Sequence, residues 1–111
     1  GKLNMPKPET SMVNKDTALI VSDIFDITGR GIVVTGKVLS DHMRTGDIMQ
    51  FVQGNGVTRN VVVSGIERNR QLCNEAKYGD IVGVFLKGLR NKSEISIGTQ
   101  LSIKEQKQVE Q

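Results

Sequence analysis

Two runs rich in β-branched residues, 20–27 and 32–34, are joined by Thr28-Gly29-Arg30-Gly31, and this joint constrains the fold more than any other feature of the chain. Glycine reaches φ > 0 without steric cost, so two glycines one residue apart between apolar runs predict a hairpin rather than a helix. The pattern then repeats. Strand-like runs cover residues 17–27, 31–39, 47–53, 57–68, 80–87 and 99–104. Turn chemistry separates them at Ser40-Asp41, Gly54-Asn55-Gly56, Tyr78-Gly79 and Ile97-Gly98. Gly54-Asn55-Gly56 is the strongest of these signals, because it places residues that tolerate positive φ between two strands. Short strands without a helical period predict an all-β barrel or sandwich, with one helical turn at residues 92–95.

Length sets the scale of the core. With 111 residues the chain is one domain, and such a domain buries roughly two-thirds of its unfolded surface without staples. Cys73 is the single cysteine, so an internal disulfide is impossible and nothing points to an oxidising compartment. No apolar run approaches the roughly 20 residues of a membrane helix, and the reading is a soluble, cytoplasmic chain. The net charge of +3 is compatible with a polyanionic partner but too small to require one. Aromatic residues make up 4% of the chain, too few for an interface built mainly on stacked rings.

The ends differ in character from the middle. Residues 1–16 read as a tag remnant followed by an interdomain-type linker, with Met5 a possible native start and Pro6-Lys7-Pro8-Glu9 extended. Residues 17–104 are the β-barrel domain, and residues 105–111 read as a disordered polar tail.

Catalytic chemistry finds little support. His42 is the only histidine and lies beside Asp41 in an expected turn, so no zinc ligand set forms around it. Cys73 has no histidine near it in sequence and reads as an inert thiol. Asp23 and Asp26 are three apart on a strand and therefore point to opposite faces, which rules out a shared acid–base pair. No Gly-x-x-x-x-Gly-Lys-[Ser/Thr] string exists to cradle phosphate. Val13-Asn14-Lys15-Asp16 only superficially suggests a guanine-reading motif, since its aspartate comes one residue early. The expectation is a chain that is not an enzyme and uses no cofactor and no metal.

The letters of the hairpin, Ile20-Val-Ser-Asp-Ile-Phe-Asp-Ile-Thr-Gly-Arg-Gly-Ile-Val-Val-Thr-Gly36, resemble the opening strands of domain 2 of the translation-factor GTPases, most closely the elongation factor Tu type. Further blocks follow in the family's order: Arg44-Thr45-Gly46-Asp47, Gly65-Ile66-Glu67-Arg68-Asn69-Arg70, Tyr78-Gly79-Asp80-Ile81-Val82-Gly83, Leu86-Lys87-Gly88-Leu89 and Ile97-Gly98-Thr99-Gln100-Leu101. The resemblance implies a closed six-stranded antiparallel β-barrel of Greek-key type. It also implies a binding role, toward the tRNA acceptor end, the ribosome or ribosomal RNA, and toward a GTPase domain on the same or another chain.

Carried over residue by residue, the resemblance gives a pocket for the tRNA 3′-terminal adenosine at Ile27, Val33, Glu67 and Phe85. It gives a phosphate contact at Arg70, where a guanidinium fork suits phosphate oxygens, and an aminoacyl side at Asp23, Phe25 and Thr35. The residues also admit plainer roles. Ile27, Val33 and Phe85 fit barrel core equally well, and Glu67 and Arg70 fit ordinary surface charge. Departures from the family pattern cluster on the aminoacyl side: Ser22 stands where the family has glutamate, and Ile81 replaces an asparagine. Asp41 takes the place of a turn glycine, and the hairpin around Gly54 is rewritten. Basic residues outnumber acids over the barrel and would form an RNA footprint if they shared a face. The alternative function is a protein-interaction barrel that docks on a GTPase domain or serves as a stand-alone scaffold.

Overall fold

The computed structural model describes residues 13–104. The expected tag remnant and most of the linker, and the expected C-terminal tail, lie outside the described residues. Residues 13–16 do not hang free: the Asn14 amide donates to Gln100 Oε1 (3.0 Å), and the Thr17 amide donates to the Asn14 carbonyl (3.1 Å).

The elements are β1 (Thr17–Ile20), β2 (Asp23–Ile27), β3 (Gly31–Lys37), β4 (His42–Arg44), β5 (Ile48–Val52), β6 (Thr58–Arg68), β7 (Gln71–Cys73), β8 (Glu75–Lys77), β9 (Ile81–Lys87), a 3-10 turn (Lys92–Glu94) and β10 (Gln100–Ile103). Every pairing is antiparallel. The main sheet runs β1-β10-β5-β6-β9-β3-β2, with β7 added to β6, and β4 and β8 form a separate two-stranded sheet.

The closed six-stranded barrel is corrected here to a strongly curled antiparallel sheet forming a half-barrel. The expected single strand over residues 17–27 breaks at Val21-Ser22, and this break explains the difference. Val21 turns inward and exchanges backbone hydrogen bonds with Thr99 (2.9 Å) and Gly98 (2.8 Å), while the Ser22 amide bonds to the Thr35 carbonyl (2.7 Å). One half of the run therefore joins β10 and the other joins β3. The β1 edge meets the segment that leaves β3 through one isolated bridge, Leu19–Val38, and the Leu39 amide bond to the Ala18 carbonyl (2.7 Å), rather than through a full ladder. Gly36 permits this approach. A Cβ at position 36 would lie 2.5 Å from the Ile20 carbonyl oxygen, so no larger residue fits without moving backbone.

Strand alternation fills the concave side. Ile32, Val34 and Val38 from the first hairpin, and Val61 and Val63 from β6, are all essentially buried in one core with Leu19, Met49, Val84 and Leu101. In β6 the inward set then jumps from Val63 to Ile66 instead of residue 65, because the register with β9 shifts between Val63 and Gly65. A bulge adds one residue to one strand and flips the parity beyond it. The small β4–β8 sheet contributes fully buried Met43 and Ala76 to the same core. His42, expected in a turn, instead opens β4 and is exposed.

Candidate functional site

The β2–β3 hairpin forms because Gly29 (φ +83°) and Gly31 (φ +87°) both occupy the left-handed region on either side of Arg30. Its ladder pairs Asp23 with Thr35, Phe25 with Val33 and Ile27 with Gly31. The next ladder pairs Val33 with Phe85 and Thr35 with Gly83. The β6–β9 ladder pairs Phe85 with Gly65 and Gly83 with Glu67, and Glu67 in turn faces Leu72 of β7. Cross-strand partners share a face. Two transverse rows result, Phe25-Val33-Phe85-Gly65 and Asp23-Thr35-Gly83-Glu67-Leu72, on the convex side of the sheet, opposite the core.

Seven of the eight expected site residues therefore lie together on one face: Asp23, Phe25, Ile27, Val33, Thr35, Glu67 and Phe85. Val33 and Phe85 are 6% and 9% exposed yet do not belong to the core cluster. They are covered by neighbours on the outer face instead. Phe25 (48% exposed) and Ile27 (41%) extend this apolar surface into solvent. Along the ladders Asp23, Phe25 and Thr35, the expected aminoacyl side, group at the β2 edge, and Val33, Phe85 and Glu67 of the expected adenosine pocket follow across β3, β9 and β6.

Gly83 and Gly65 give the face its relief. A Cβ on Gly83 would make ordinary contact with Val33 Cγ1 (3.7 Å) and Glu67 Oε1 (4.0 Å), which places the Glu67 carboxylate over the bare backbone of β9. A Cβ on Gly65 would meet the Phe85 ring (Cδ1 3.5 Å), so that ring leans over β6. The Ser64 hydroxyl donates to the Phe85 carbonyl (3.2 Å) beside it.

Arg70 stands at the tip of the β6–β7 hairpin. Arg68 pairs with Gln71, leaving Asn69 (φ +55°) and Arg70 (φ +66°) as a two-residue turn with both residues left-handed. Such turns favour Asn-Gly. An arginine in the second position is backbone strain at an exposed tip, and that tip lies beyond the Glu67 end of the face.

Sequence reasoning put Arg30 in the turn and among the basic residues of a possible RNA footprint, but not beside Phe85. The hairpin turn, closed by the Arg30 amide on the Ile27 carbonyl (2.8 Å), carries its guanidinium over the Phe85 ring, with Cζ 5.6 Å from the centroid. That is cation–π distance. The flanking glycines were the available signal, but they gave a turn and not its destination. The bulge at Gly65 likewise had a signal, a glycine within a strand pattern, whereas Leu72 had none.

Electrostatically the face is mixed: Asp23 and Glu67 lie within it, and Arg30 and Arg70 stand at its two ends. Among the described residues neither arginine forms an ion pair, while Arg44, Arg59 and Arg68 are paired with Glu75, Glu94 and Asp80. Two carboxyls elsewhere are held below the usual range. The Lys77 amide and then the Arg68 guanidinium lower Asp80, and the Arg59 guanidinium lowers Glu94. Among the described residues no group of three or more His, Cys, Asp or Glu is placed to hold a metal ion. Cys73 sits partly buried in β7. No model of a known protein family matches the chain.

Proposed function

We propose that this chain is a non-catalytic β module of an elongation factor Tu-like kind, which binds the acceptor end of tRNA, the ribosome, or both. One observation carries the reading: Ile27, Val33, Glu67 and Phe85 sit on the outer face of the sheet, away from the core, with Arg30 and Arg70, which form no ion pair among the described residues, at either end. Residues needed only for packing belong to the concave side. A convex cluster of valine, phenylalanine and a carboxylate is instead suited to one face and one edge of a purine, with the Arg70 guanidinium meeting phosphate. A GTPase domain, on this or another chain, is the second expected partner, and the chain itself hydrolyses nothing.

The test is a titration of the full chain with a minihelix ending in CCA, against the same RNA lacking the terminal adenosine. Binding should be weak, fall with salt as phosphate contacts require, and be tighter for the complete end. Phe85→Ala should remove that preference at a cost of roughly 1–3 kcal/mol, provided the variant melts like the wild type. Arg70→Ala should weaken both RNAs alike. Equal affinity of the wild type for the two ends would refute the pocket.

A further inference from the structure

Beside the Phe85 ring, on the side away from Val33, lies a cleft of about 310 Å³ lined by Arg30, Thr45, Ser64, Gly65, Leu72, Cys73, Asn74 and Phe85. Its volume is at the lower end of the ~300–1,000 Å³ of small-molecule sites. We propose that this cleft is a second base-binding subsite, in which one unpaired RNA base stacks on the Arg30 guanidinium while its edge meets Asn74 and Thr45. The inference rests on the RNA-binding reading above and extends it from one base to two.

The chemistry of the walls selects the occupant. Arg30 Cζ lies 5.6 Å from the centroid of the Phe85 ring and both side chains line the cleft, so a ligand entering here meets the guanidinium together with the ring. Guanidinium planes stack on bases. Nothing on the described chain neutralises this arginine, and its charge draws an anionic backbone into the cleft. Leu72 and the bare Cα of Gly65 leave apolar surface opposite, which a free phosphate would not use but a base can. Asn74 is exposed and Thr45 is half-buried, and among the described residues neither the Asn74 side-chain amide nor the Thr45 hydroxyl has a hydrogen-bond partner. An amide that both donates and accepts matches the edge of a base. The Thr45 amide bond to the Asn74 carbonyl (3.0 Å) fixes the two residues side by side.

The test is NMR on the ¹⁵N-labelled full chain, titrated with a single-stranded tetranucleotide RNA ending in adenosine. Versions carrying an abasic nucleotide at each position in turn complete the set. The Gly65 amide and the Asn74 side-chain amide should shift on binding, together with Thr35 and Gly83 on the neighbouring rows. One abasic position should abolish the Gly65 and Asn74 shifts and leave those at Thr35 and Gly83. Arg30→Lys, which keeps the charge but loses the plane, should do the same and lower affinity roughly ten-fold, the worth of one stacked base. Shifts at Thr35 and Gly83 without any at Gly65 and Asn74 would overturn the second subsite and leave RNA binding intact. No shift anywhere would overturn both. Equal shifts at Gly65 with a tetraglutamate peptide would assign the cleft to an acidic protein partner instead. Should Arg30→Lys lose its native spectrum, the abasic series on the wild type decides alone.

Discussion

Arg70 holds a backbone conformation that costs a residue bearing a side chain about 1–2 kcal/mol, with no ion pair in return among the described residues. Arg70→Gly should therefore raise stability by about 1 kcal/mol in urea melts while weakening RNA binding, a split that separates presentation from packing. A variant that lost stability would show that Arg70 packs. Gly36→Ala should do the opposite, costing about 1–3 kcal/mol, since the new methyl would press on the Ile20 carbonyl at 2.5 Å. At this scale the sequence was legible where chemistry is local. The letters at 27, 33, 67 and 85 identified residues that do lie together, because strand parity and pairing carry them to one face. Arg30 was not legible as a site residue. Its position over Phe85 depends on a turn folding across to a strand more than 50 residues away in sequence.

Among the elements, β3, β5, β6 and β9, each of five residues or more, fall within the expected runs, and the shorter β10 falls within the run 99–104. β4, β7 and β8 have three residues each and leave no period to read. The break at Val21-Ser22 was invisible for another reason: an apolar residue followed by a serine fits a continuing strand as well as a change of partner. Two ionic ties fasten element ends, Arg68 Nη1 to Asp80 Oδ2 (3.0 Å) between β6 and the start of β9, and Arg59 Nη2 to Glu94 Oε1 (3.0 Å) at the 3-10 turn. Both carboxyls are held below their usual values. Their stabilisation is therefore present at neutral pH and lost as pH falls through the folded values. The melting temperature should stay level from about pH 7 to 5 and drop below about pH 4. Asp80→Asn combined with Glu94→Gln should lower the plateau slightly and flatten that acid limb. An unchanged acid limb in the double variant would assign the pH dependence to other carboxyls.

For the molecule as a whole, the half-barrel separates two tasks. The concave side carries the core cluster, and the convex side carries a chemically mixed surface outside it. Substitutions such as Phe25→Ser or Ile27→Ser should accordingly change stability by less than about 1 kcal/mol, while Val34→Ala or Val63→Ala should cost about 2 kcal/mol or more. Similar losses in the two sets, measured by chemical denaturation, would mean that the outer cluster is structural. A further property follows from the pairing of β1 with β10, which sets Thr17 opposite Ser102. Residues 13 and 104 thus lie at one end of one sheet region, while Gly54-Asn55-Gly56 is a turn where an added Cβ on either glycine meets nothing. A circular permutant that joins residue 104 to residue 13 through a short glycine–serine bridge and opens at Asn55 should fold to the same sheet, as NMR spectra of the two forms would check. In that form β5 and β6 become terminal strands, and folding would begin from pairings that are long-range in the natural order.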